Sequence, residues 1–150
     1  MKLATALSER ADLQRRIAEL EMRLRSNAKT QEGEEPAEDP QQLLAELDSC
    51  INAWESLMAR INLTNSRTSE KGITMTEMLA KRDTLSKRLQ LMRSFLDSAS
   101  AKVDRFTRTE IRIVSTVDVA AYQKSVDDCS RDLRELDEKI QSLNWTTELM

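Results

Sequence analysis

The chain has 150 residues, a net charge of -3 and an isoelectric point near 5.2, so it offers no global electrostatic footing for nucleic acid or for an anionic membrane surface. Charged residues make up 33% and aromatic residues 3%, with two glycines and two prolines, a balance that suits long helices with solvated faces and argues against a β-sandwich. Histidine is absent, which removes the usual general base near neutral pH.

The length is that of one domain with a core of its own. From the start, Leu3, Ala6, Arg10, Leu13, Ile17, Leu20 and Leu24 alternate three and four apart, the seam of a coiled-coil-like helix. This helix is expected from about Lys2 to Ala28. The segment "TQEGEEPAEDPQQ" follows, acidic and broken by Gly33, Pro36 and Pro40, and reads as a connector. Asp39 before Pro40 is an N-cap with proline at the first helical position. The second helix runs on the seam Leu44, Leu47, Ile51, Trp54, Met58 and Ile61 and ends around Asn65. "SRTSEKGI" is a second connector. Thr74 or Thr76 opens a third helix on Met75, Met78, Arg82, Leu85, Leu89, Met92, Leu96 and Ala99. In "RFTRTEIRIVSTVD" the β-branched residues Ile111, Ile113 and Val114, with Thr109 and Thr116, favour a short β segment near 109–116. Its partner strand is either local or the same segment of another copy. Asp118 caps the fourth helix, whose seam is Val119, Tyr122, Val126, Cys129, Leu133, Leu136, Ile140 and Leu143.

The first and third helices superimpose at an offset of 72, with Arg10 on Arg82. The second and fourth superimpose at 82, with Asn62 on Asn144. The expected architecture is therefore all-α: an antiparallel four-helix bundle of two coiled-coil-like hairpins, about 2–65 and 74–145, in a single domain. Arg10 and Arg82 occupy seam positions, where an unpaired guanidinium would cost roughly 3–5 kcal/mol. Antiparallel register puts Glu55 near Arg10 and Asp137 near Arg82, so two register-fixing ion pairs are expected, Arg10–Glu55 and Arg82–Asp137.

Cys50 and Cys129 are far apart, lack CxxC spacing and fall on apolar faces, as reduced structural thiols do. Glu9 with Asp12, and Asp132 with Glu135 and Glu138, are the candidate carboxylate groupings on helices that a Mg²⁺-dependent nucleotide hydrolase could use. They lie off the apolar seams, as solvated faces do. No phosphate loop, nucleophile elbow or zinc-helix motif occurs. No enzymatic activity, cofactor or metal is expected. No stretch could serve as a signal peptide or span a bilayer, so a cytoplasmic location is expected, with no membrane and no nucleic-acid partner. Apolar residues surplus to one bundle, and the Arg-bearing 102–117 segment, point to self-association. The expected contacts are Phe106, Arg108, Ile111, Ile113, Trp145 and Leu149.

The segments "MKLATALSERADLQRRI", "NAKTQEGEEPAEDP", "TRTEIRIVSTVDVAAYQKSVDD" and "ELDEKIQSLNWTTEL" cover much of the chain. Together they resemble the septicolysin-like family of small bacterial proteins. The resemblance implies helical, coiled-coil-rich homo-oligomers, with hexamers as the implied size, and supplies no catalytic residues. The family name implies a second function, a cytolysin-like membrane-active oligomer. The residues themselves favour a cytoplasmic, self-assembling protein that works through interaction.

Overall fold

The computed structural model describes residues 1–101 and 113–150. The chain is all-α, with four long helices: α1 (Leu3–Ser26), α2 (Pro40–Arg67), α3 (Met75–Ser100) and α4 (Val119–Thr146). Between α2 and α3 lies a small hairpin of β1 (Ser69–Glu70) and β2 (Ile73–Thr74). Two compact units result. One comprises Met1–Thr76 with Gln141–Met150, and the other Glu77–Ile140.

Local chemistry sets the helix ends. The Asp39 carboxylate accepts from the Gln41 amide at 2.9 Å, and Pro40 opens α2. Proline lacks only an N–H that has no helical partner at that position. Asp118 does the same for α4, accepting from the Ala121 amide at 3.0 Å. At the C-terminus of α1, Asn27 is buried. Its side-chain amide donates to the Arg23 carbonyl at 2.9 Å, and its oxygen accepts from the Glu38 amide at 2.9 Å. One side chain thus ends α1 and fixes where the acidic connector rejoins the hairpin. α2 continues past the expected stop at Asn65 to Arg67, because Thr64 and its neighbours stay in the ladder and Thr68 provides the exit.

In the first unit α1 packs on α2, antiparallel, with Arg16 facing Glu46 and Arg23 facing Glu38. Leu3, Ala6 and Leu20 are buried on α1. On α2 the buried residues are Leu43, Leu57, Ile61 and Thr64, with Leu47, Cys50 and Trp54 half-buried between them. This row alternates four and three, and each fully buried leucine contributes roughly 1.5–3 kcal/mol. It is one residue out of phase with much of the seam expected from sequence. Leu44 and Ile51 stay 49% and 39% exposed.

The last residues of the chain belong to this unit. Lys2 and Glu148 form an antiparallel bridge, the Leu3 amide donates to the Thr147 carbonyl at 2.9 Å, and the Leu149 amide donates to that of Met1 at 2.8 Å. The Met150 amide donates to the Thr64 hydroxyl at 3.0 Å, and Arg60 Nε donates to the Met150 carbonyl at 2.8 Å.

In the second unit Leu89 and Leu96 of α3 meet Val126 and Cys129 of α4, flanked by Leu85, Met92, Val119, Tyr122 and Leu133. Phe95 and Tyr122 make an edge contact, with ring centroids 5.1 Å apart. The β segment expected at 109–116 falls largely outside the described residues. Residues 113–116 carry no strand. The observed strands sit instead at 69–74, where Lys71 (φ 53°) and Gly72 (φ 81°) supply the two left-handed residues of a two-residue hairpin turn.

If the row through Leu57 is the core face of α2, Leu57→Ala should cost about 2–4 kcal/mol. Ile51→Ala should cost less than about 1 kcal/mol in dilute protein. Urea denaturation of the two variants checks the assignment, and similar losses would contradict it.

Candidate functional site

Arg10 and Glu55 are not brought together. Arg10 Nε is buried without a hydrogen-bond partner among the described residues, and Glu55 is exposed. The reason is rotational. The register set by Arg16–Glu46 and Arg23–Glu38 puts Arg10 level with Ile51 and Asn52, and Glu55 follows the half-buried Trp54 by one residue, about 100° around the helix. The inter-helix ion pairs fall on residues that the sequence reading did not select. Arg16 Nε donates to Glu46 at 2.9 Å and its Nη1 to Glu19 at 3.0 Å. Arg23 Nε donates to Glu38 at 3.1 Å. The available signal was the seven-residue spacing of Arg16 and Arg23 beside the apolar seam. The hydrogen bond from Arg23 holds the Glu38 carboxyl below its ordinary value of 4.5, and the same contact raises the Arg23 guanidinium.

Arg82 and Asp137 do line one groove, but Arg82 turns to its neighbour, donating to Asp83 through Nε at 3.0 Å and Nη2 at 2.8 Å. Asp83 needs no second helix to be held in place, so it competes at low entropic cost. This groove, of about 520 Å³, lies within the second unit between α3 and α4. Arg93 and Arg134 also line it, above Leu89 and Leu133. Arg93 reaches the Ser130 hydroxyl only at 3.4 Å. Among the described residues Arg134 has no ion-pair or hydrogen-bond partner. A further hollow runs on along α3 past Gln90, Arg93, Asp97 and Leu133.

Of the expected assembly contacts, Phe106, Arg108 and Ile111 lie outside the described residues. Ile113 and Trp145 are exposed, at 68% and 64%. Leu149 is corrected: it is buried, because its amide bonds to Met1 and draws its side chain into the chain's own first unit. Leu43 and Leu57, surplus to the expected seam, are core residues for the phase reason above. Asp12 is tied to Arg15. Asp132 and Glu135 share a groove with Lys81 and Lys139. Among the described residues no group of three or more His, Cys, Asp or Glu is placed to hold a metal ion, and no helix is long and apolar enough to cross a membrane.

These features define an all-α protein of two helical units whose most distinctive surfaces are an exposed apolar row on α2 and an arginine-lined groove between α3 and α4. A family model matches residues 10–149, and the chain belongs to that family, a family of unknown function (DUF6847). It is similar to a crystal structure of a functionally unknown conserved protein from Corynebacterium diphtheriae. The identity is 41% and the TM-score 0.92, over 100% of this chain and 99% of that one. No curated protein matches the chain. The family match overturns the resemblance to septicolysin-like proteins. The hexamer and the cytolysin reading rested on that resemblance and fall with it. In their described residues the quoted segments are largely helix and polar connector, and amphipathic periodicity of that kind specifies a helix rather than a family.

The Arg23–Glu38 pair carries a pH signature. The folded-state pKa of Glu38 lies below the ordinary value, so its contribution is full above the ordinary carboxylate range and is lost as pH falls through the folded value. The acid limb of a thermal-stability profile should flatten in Glu38→Gln, with a lower midpoint than wild type at neutral pH. Superimposable profiles would show the pair to be without effect.

Proposed function

We propose that this protein is a non-enzymatic helical assembly protein, which associates with copies of itself and acts through the surface that the assembly presents. The observation that carries the reading is the second apolar row on α2. Leu44 and Ile51 stand seven residues apart and remain partly exposed to solvent, with half-buried Met58 seven further on. Seven-residue spacing keeps a row on one side of a helix over this length, and rows of this kind pack against other helices. A chain with 39% hydrophobic residues has little reason to leave such a row in water unless it is covered. Leu91 and Phe95, four apart on α3, and Trp145 near the end of α4 are further exposed apolar residues. Both cysteines are free, which supports a reducing compartment such as the cytoplasm.

Native mass by light scattering over a dilution series tests the proposal. A discrete multimer is expected at micromolar protein. The double variant Leu44→Lys with Ile51→Lys should shift it to monomer while far-ultraviolet circular dichroism keeps the wild-type helical signal. A wild-type monomer at all concentrations would overturn the reading.

A further inference from the structure

The acidic connector carries charge that its own hairpin does not use. Glu38 is committed to Arg23 and Asp39 to the α2 cap. Glu32, Glu34 and Glu35 are exposed, and their carboxylates have no partner among the described residues. They are also held in a defined shape. The Glu34 amide donates to the Gln31 carbonyl at 3.0 Å, and Gly33 has φ +86°. This places glycine at the third position of a turn, where a positive φ is required. Three carboxylates therefore project from a compact tip rather than from a loose chain.

The groove of the second unit carries three arginines, Arg82, Arg93 and Arg134, against two aspartates, Asp83 and Asp137. Arg82 and Arg93 lie eleven residues apart on α3, about 16 Å at 1.5 Å per residue, and Arg134 faces them from α4. Among the described residues Arg134 is unpartnered and Arg93 nearly so, while Asp83 is occupied by Arg82, which leaves Asp137 as the one carboxylate set against the two free arginines. Leu89 and Leu133 give the groove an apolar floor, suited to the Pro36–Ala37 stretch that follows the acidic tip.

We infer that the arginine groove of one copy receives the Gln31–Ala37 turn of another, with Arg93 and Arg134 pairing Glu32, Glu34 or Glu35. This rests on the self-assembly reading and names the contact that gives the assembly its register. Connector and groove are different surfaces, so the contact is either doubled across a two-fold axis or repeated head to tail around a ring. Exposed ion pairs are individually weak, so their effect here is on alignment and encounter. The apolar row on α2 contributes area.

The test is a charge exchange read by light scattering and analytical ultracentrifugation, with circular dichroism as the control for folding. Arg93→Glu with Arg134→Glu should raise the dissociation constant of the multimer at least about tenfold. Glu32→Lys with Glu34→Lys and Glu35→Lys should do the same. An equimolar mixture of the two variants should recover a multimer of wild-type mass, since each unaltered surface then meets its complement. Wild-type dilution behaviour in both variants would overturn the groove contact and leave self-assembly standing. Weakening without recovery on mixing would also overturn it, since the charges would then act apart. A monomeric wild type would overturn both readings.

Discussion

A helix of 28 residues can turn only one strip of its surface into a hairpin, and α2 carries apolar side chains enough for more than one. Which strip goes inward is the constraint from which the rest follows. Antiparallel pairing with α1 through Arg16–Glu46 and Arg23–Glu38 fixes the level of the two helices. The Asn27 bridge to the Glu38 amide fixes where the connector delivers α2. Leu43, Leu57, Ile61 and Thr64 are then the residues that are buried. Leu44 and Ile51, about 100° away from their neighbours on the row, remain outside.

Thr64 links this choice to the chain's other end. Its hydroxyl donates to the Arg60 carbonyl at 2.8 Å and accepts from the Met150 amide at 3.0 Å. A threonine bonded back into its own helix normally weakens the helix slightly. Here the same oxygen serves a second donor from a segment that would otherwise have an unmet amide. The Lys2–Glu148 bridge then closes the unit, with the Glu148 carboxyl held below its ordinary value first by the hydrogen bond from Lys2. A consequence is that residues 147–149, apolar in part and easily read as an adhesive tail, are a structural element of the first unit.

What was legible in the sequence was local. Asp39–Pro40 and Asp118 signalled helix starts because a cap acts within three residues of itself. The four helices showed in their periodicity. The phase of α2 did not. Rows through 43, 50 and 57 and through 44, 51 and 58 share Leu47, Trp54 and Ile61, and only the partner helix selects between them. The partners of Arg10 and Arg82 were missed for a related reason. Level along each hairpin was correct to within a turn, but azimuth separates Glu55 from Arg10, and Arg82 bonds to its chain neighbour Asp83 although Asp137 lines the same groove. The strands at 69–74 are two residues each, too short for an alternating pattern, so Gly72 was their one clear mark. The union of residues 1–3 with 147–149 leaves no signature in either segment.

The two surfaces singled out here belong to different units and have different physics. The α2 row is apolar, so it supplies free energy in proportion to area and says little about orientation. The α3–α4 groove is charged and exposed, so it supplies little net energy but strongly prefers one alignment. An assembly that used only the first would slide along the row. One that used only the second would fall apart at moderate salt, because exposed charges are screened within about 8 Å at physiological ionic strength. A discrete multimer requires both buried apolar surface and a single register, and in the proposed assembly the row would serve the first and the groove the second. The chain's composition is consistent with this division: a third of its residues are charged, yet its exposed apolar residues include pairs at helical spacing on α2 and on α3. Read alone, the exposed acids of the connector and the arginines of α3 and α4 are ordinary solvated charges; the proposed contact between copies is what would give them complementary roles.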